Sequence, residues 1–103
     1  MPGNIRVLVV DDATVVRGML SKLINAEPDM EVAGSAADGK SGVEKAEALK
    51  PDVIVLDIDM PIMGGIEALG ILRQKLPNTP VIIFSTLSHA GAAITLDALA
   101  AGA

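Results

Sequence analysis

The sequence predicts an α/β fold, a doubly wound parallel sheet, and three observations carry that prediction. Four short apolar runs start near residues 5, 31, 53 and 81, a segment with helical periodicity follows each of them, and three of the runs stop abruptly at Asp or Ser. Strand and helix in strict alternation demand right-handed crossovers, which place every strand parallel and put helices on the faces of the sheet.

Taken in order, Ile5 to Val10 (IRVLVV) is a nearly continuous β-branched run, the pattern of a strand covered on both faces, and Asp11–Asp12 end it. From Ala13 to Ala26 an amphipathic helix follows, with Val16, Leu20 and Leu23 on its inward face, Arg17 and Lys22 pointing elsewhere, and Pro28 at its exit. Glu31–Ala37 (EVAGSAA) reads as a second strand weakened by small residues, and Asp38–Gly39 leads into a helical segment over Lys40–Leu49 with Val43, Ala46 and Leu49 aligned. Val53–Leu56 (VIVL) is a buried strand ending at Asp57. Pro61 and Gly64–Gly65 then impose a loop before a helix over Ile66–Leu76 that turns Leu69, Leu72 and Leu76 inward. Pro80 introduces the strand Val81–Phe84 (VIIF), hydroxyls from Ser85 to Ser88 can cap a helix, and an alanine-rich helix runs to about Ala101 with Gly102 as its C′ residue.

Composition narrows the function. The 103 residues carry 13 acidic and 8 basic side chains, a net charge of −5, and 50% of them are hydrophobic, enough apolar material for one domain with its own core. Cysteine is absent, which excludes disulfides and thiolate metal sites. No apolar stretch approaches the roughly 18 residues of a membrane span, and Met1–Asn4 has no basic segment leading into a hydrophobic one. We therefore expect a soluble, cytoplasmic protein. An acidic chain whose one aromatic residue is Phe84 offers nucleic acid neither an attractive field nor stacking platforms.

In open parallel sheets ligands sit at the carboxyl ends of the strands, and here those ends carry Asp11, Asp12, Asp57 and Ser85. Taken singly, Asp12 and Ser85 could be helix caps and Asp57 a turn residue. Taken together they imply more. Two carboxylates about 4 Å apart repel by about 4 kcal/mol at an effective dielectric constant of about 20, so a folded cluster calls for a compensating cation. Oxygen-only ligation suits Mg²⁺ or Mn²⁺, and a Mg²⁺ ion with few carboxylates is the setting for phosphoryl transfer.

The motifs VLVVDD at 7–12, VIVLDIDMPIMGG at 53–65 and PVIIFS at 80–85 resemble the receiver domain of two-component response regulators. Within that family, DDATVVRGML (11–20) and FSTLSHAGAAITLDALAAGA (84–103) are most similar to the N-terminal regulatory domain of the chemotaxis protein-glutamate methylesterase. The resemblance covers essentially the whole chain. It implies a flavodoxin-like receiver fold with strand order 2-1-3-4. It also implies that Asp57 accepts the phosphoryl group, that Asp12 binds Mg²⁺ directly and that Asp11 acts on the metal largely through water. The backbone carbonyl of Asp59 is then a third ligand, and Ser85 is the switch residue that hydrogen-bonds the phosphoryl group. The donor it implies is a sensor histidine kinase of the chemotaxis type, and the output is an attached or partner effector, a methylesterase domain whose own chemistry is not in this chain.

Two departures from the family pattern stand out. Asp59 places a carboxylate two residues after the acceptor, where the family tunes phosphoryl lifetime, so altered dephosphorylation is expected. The family's fifth strand, its lysine and its last helix belong beyond Ala103, and Lys40, Lys45, Lys50 and Lys75 offer no substitute. The expectation is a single receiver domain over residues 1–103, incomplete at its C-terminus. Its uncovered fourth strand invites self-association.

Other signals have plainer readings. His89 reads as an exposed residue at a helix start, the methionines Met19, Met30, Met60 and Met63 as core and turn filling, and Gly64–Gly65 as backbone geometry, since no phosphate-loop Lys-Ser/Thr follows them. The competing functions are a receiver fold used only for docking, and a Mg²⁺ phosphatase of the haloacid dehalogenase type. The second rests on Asp57-Ile58-Asp59 and is opposed by that motif's place on the third strand.

Overall fold

A computed structural model describes residues 4–60 and 62–84 of the chain. It contains the strands β1 (Ile5–Val10), β2 (Met30–Ala36), β3 (Val53–Asp57) and β4 (Val81–Phe84), and the helices α1 (Thr14–Asn25), α2 (Gly39–Leu49) and α3 (Gly65–Lys75). The expected helix and cap between residues 85 and 102 lie outside the described residues. The four strands form one parallel sheet in the order β2-β1-β3-β4, as the receiver resemblance implies.

Alternation along the strands divides the packing between two faces. Leu8 and Val10 of β1, Ile54 and Leu56 of β3, and Val81 of β4 join Val43 and Ala46 of α2 with Ala68, Leu69 and Leu72 of α3 in one buried core. Leu49 and Leu76, expected inward, are partly buried at the edge of that core. Val7 and Val9 project to the other face and are equally buried, and α1 packs against β1 and β2. Among the described residues no helix is long and apolar enough to cross a membrane.

The small residues that weaken β2 as a sequence signal make room for packing. A Cβ on Gly34 would stand 2.7 Å from Leu49 Cδ1, so glycine lets α2 close on the strand. The register also slips between Val7 and Leu8, which pair with Val32 and Gly34, a bulge that the sequence does not announce. At the start of α2, Asp38 accepts the Ser41 N–H at 2.8 Å, an N-cap bond. At its end Lys50 adopts the left-handed conformation that closes the helix ahead of Pro51.

One helix face needs correction. The inward side of α1 runs through Val16, Leu20 and Ile24, all half-buried, whereas Leu23, expected inward, is 62% exposed. Arg17, expected to point away, is half-buried and bonded to the main chain. The guanidinium is planted on the Asp11 carbonyl, and the aliphatic stem of Arg17 is half-buried beside Val16 and Leu20 in the sequence of the helix.

Candidate acidic metal site

The sheet order makes β1 and β3 neighbours, with Val10 paired to Leu56, so the residues that follow both strands emerge side by side. Asp11 continues the line of β1: its N–H donates to the Ala36 carbonyl at 3.0 Å, and its side chain is fully buried. Asp11 Oδ1 accepts the Ala13 N–H at 2.8 Å. Asp12 follows and is exposed. It does not cap α1, whose N-cap residue is Ala13 and whose start has no side-chain cap bond. Asp57 ends β3, fully buried, and its Oδ1 accepts the Asp59 N–H at 3.2 Å.

That turn bond accounts for one Asp57 oxygen only. The other oxygens, Oδ2 of Asp11 and Oδ2 of Asp57, are buried and have no hydrogen-bond partner. One carboxylate oxygen from each of Asp11, Asp12 and Asp57 lies within 4.8 Å of the others. Buried polar atoms are almost always satisfied, so two orphaned carboxylate oxygens side by side call for a ligand that donates positive charge to both. A divalent cation with oxygen ligands fits that requirement.

The electrostatics agree. Burial pushes the Asp57 carboxyl up to about 7, and the charges of Asp11, Asp12 and Asp59 add to the rise while the Asp59 amide opposes it. Burial also raises Asp11, with the Asp12 charge in the same direction and the Ala13 amide against it. Both groups are therefore ill-suited to carrying charge in the absence of a cation.

The loop after Asp57 is fixed from two sides. The Gly65 N–H donates to the Ile58 carbonyl at 2.9 Å, and a Cβ on Gly65 would stand 2.5 Å from the Asp57 carbonyl oxygen, so α3 starts hard against the strand end. Met60 and Met63 pack on the core, as their reading as turn filling expects, and the Met63 carbonyl accepts the Gly39 N–H. Between them Ile62 has a φ of 70°, a strained conformation for a β-branched residue, and is 78% exposed.

Of the residues singled out in the sequence, the structure brings together Asp11, Asp12 and Asp57, with Asp59 tied to Asp57 through its amide. Ser85 and His89 lie outside the described residues, although β4 ends at Phe84, which pairs with Asp57. Lys45 donates to the Ser35 carbonyl, and Lys75 pairs with Glu47 at 3.3 Å. Arg17 is the residue that sequence reasoning missed. Its Nη1 donates to the Asp11 carbonyl at 2.8 Å and its Nη2 to Thr14 Oγ1 at 3.3 Å.

A parallel sheet in the order 2-1-3-4 with a buried acid pair at the ends of its two central strands defines a receiver domain. The family model for the response regulator receiver domain matches residues 7–103, and the chain belongs to that family. Within it, the chain is 50% identical over 103 residues to a protein-glutamate methylesterase/protein-glutamine glutaminase of Nocardioides sp., covering all of this chain and 28% of that protein. A Vibrio vulnificus protein of the same name is 54% identical over 99 residues, 96% of this chain and 26% of its own length. The chain thus spans about a quarter of the length of these relatives. The crystal structure of the response regulator domain of Thermotoga maritima CheB superposes with a TM-score of 0.89 at 53% identity, covering 97% of this chain and 74% of that one. A chain of the CheX-CheY-BeF3-Mg²⁺ complex of Borrelia burgdorferi gives 0.85 at 31% identity, over 94% of this chain and 72% of that one.

Proposed function

We propose that this chain is a phosphorylation switch in which Asp57 takes a phosphoryl group from the phosphohistidine of a sensor kinase and thereby regulates a methylesterase domain elsewhere in the same cytoplasmic protein. The observation that carries the reading is the pair of orphaned, buried oxygens on Asp11 and Asp57, with Asp12 closing the triangle. Asp11, Asp12 and Asp57, with the Asp59 main-chain carbonyl, would hold Mg²⁺ or Mn²⁺. When bound, the cation supplies positive charge to the phosphoryl oxygens and lets Asp57 ionise at neutral pH.

The residues of the chain do the rest. A carboxylate oxygen of Asp57 attacks phosphorus as the phosphorus–nitrogen bond to the protonated donor imidazole breaks, and neutral imidazole leaves. The Asp59 N–H holds Oδ1 and so restrains the orientation of the Asp57 carboxylate at the end of β3. Ser85, one residue beyond Phe84, would donate its hydroxyl to a phosphoryl oxygen and draw the following segment inward. The likeness to methylesterase regulatory domains and to a CheY complex supports a chemotaxis kinase as donor.

The test uses a small acyl phosphate as donor. With Mg²⁺ present, intact-mass measurement should reveal one phosphoryl adduct, mapped to Asp57 by borohydride reduction and peptide sequencing, and Asp57→Asn should take none. Labelling that ignores Mg²⁺, or that persists in Asp57→Asn, would overturn the proposal.

A further inference from the structure

The geometry points to Arg17 as the positioning residue of the acid pocket: its guanidinium holds the main-chain turn that carries Asp11 and Asp12, and so keeps both carboxylates aimed at Asp57. The inference rests on the divalent-cation reading above.

The turn from β1 to α1 is short, and the usual means of ordering it are missing. Helix α1 has no side-chain cap bond and no acidic residue in its first turn. Its tie to the strand comes instead from two interactions that cross the turn, the Ala13 N–H to Asp11 Oδ1 and Arg17 Nη1 to the Asp11 carbonyl, both at 2.8 Å. The Arg17 N–H also donates to the Ala13 carbonyl at 2.9 Å, and Nη2 reaches Thr14 Oγ1, so the guanidinium is anchored on the first turn of the helix while it grips the residue before it.

Peptide planarity turns that grip into control of Asp12. The Asp11 carbonyl and the Asp12 N–H belong to one rigid plane, so fixing the carbonyl oxygen fixes the direction in which the chain enters Asp12. Asp12 is the exposed member of the triangle and gains most from a held backbone. Arginine suits the task because its planar fork serves two acceptors at once, which a lysine ammonium on a flexible stem does not.

The sign of the effect separates positioning from simple electrostatics. A fixed positive charge near the pocket repels a divalent cation, so if Arg17 acted by charge alone its removal would tighten Mg²⁺ binding. If it acts by holding the turn, removal weakens binding, by the roughly tenfold that groups orienting metal ligands typically control.

The experiment compares the wild-type chain with Arg17→Met, Arg17→Lys and Thr14→Val. Mg²⁺ is titrated with amide NMR detection, and hydrogen exchange at the Ala13 amide is followed in metal-free protein. Arg17→Met should raise the Mg²⁺ Kd about tenfold and speed Ala13 exchange at least several-fold, with Arg17→Lys and Thr14→Val between it and wild type. Should Arg17→Met not fold, the other two variants carry the same comparison. Unchanged or tighter Mg²⁺ binding with unchanged Ala13 exchange would overturn the inference. A wild-type chain indifferent to Mg²⁺ would instead overturn the cation reading on which it rests.

Discussion

Among the described residues Asp57 is the carboxyl displaced furthest from its ordinary range, because the side chain is fully buried and burial, joined by three neighbouring carboxylates, pushes it up to about 7. A carboxyl raised in the folded state binds its proton more tightly there than in the unfolded chain, whose ordinary value is 3.8. Asp57 therefore contributes stability to the metal-free protein that is fully present in acid and is lost as pH rises from about 4 through about 7, each pH unit in that window being worth up to about 1.4 kcal/mol. Asp11, raised in the same direction, adds to the slope. Asp57→Asn should abolish most of it and raise the Tm of metal-free protein at pH 8 by more than about 5 °C, as calorimetry across pH would record. At Asp59 the expected readout is lifetime: Asp59→Asn should change the rate at which the phosphoryl group is lost, measured by the decay of labelled protein, and an unchanged rate would remove Asp59 from that role. Asp11, Asp12 and Asp57 were legible in the sequence because each lies at the end of a β-branched run. Arg17 was not, since an apolar stripe at 16, 20 and 23 assigns the charged residue between them to solvent. The Asp11 carbonyl that accepts from its Nη1 belongs to the turn before the helix, which the helical periodicity does not display.

The contrast between two glycines of α3 tests how the element positions the site. A Cβ at Gly65 would meet the Asp57 carbonyl at 2.5 Å and Ile58 Cα at 2.6 Å, whereas one at Gly70 meets nothing within 4 Å. Gly65→Ala must move either the helix start or the strand end, and should cost about 1–3 kcal/mol in urea denaturation while shifting the amide resonances of Asp57 and Ile58. Gly70→Ala should gain up to about 1 kcal/mol from helix propensity and leave those resonances in place. Strands β1 and β4 have the predicted bounds, and β3 extends one residue further, to Asp57. Continuous β-branched runs announce themselves without reference to partners, even in β4, where Ile82 is 56% exposed. Strand β2 was blurred because its small residues answer to Leu49 across the interface, and the bulge at Val7/Leu8 is a property of a strand pair that neither strand's sequence states alone.

At the scale of the whole molecule, the order β2-β1-β3-β4 is what turns scattered acids into a site, since it sets the ends of β1 and β3 next to each other. The alternation of strand and helix made the fold class legible, whereas the burial of the acids and the two orphaned oxygens are consequences of packing that no local pattern displays. With a net charge of −5 and a buried acid pair, the chain should be stabilised by divalent cation in proportion to how far Asp57 is ionised. Mg²⁺ at about 100 times its Kd should add about 2.7 kcal/mol at pH 8, and clearly less at pH 5, where a protonated Asp57 competes with the metal. The most direct measurement is an amide NMR titration of the chain with Mg²⁺. The account predicts saturable shifts centred on Asp11, Asp12, Asp57 and Asp59, lost or greatly weakened in Asp57→Asn. A well-dispersed spectrum that does not respond to Mg²⁺ would contradict it.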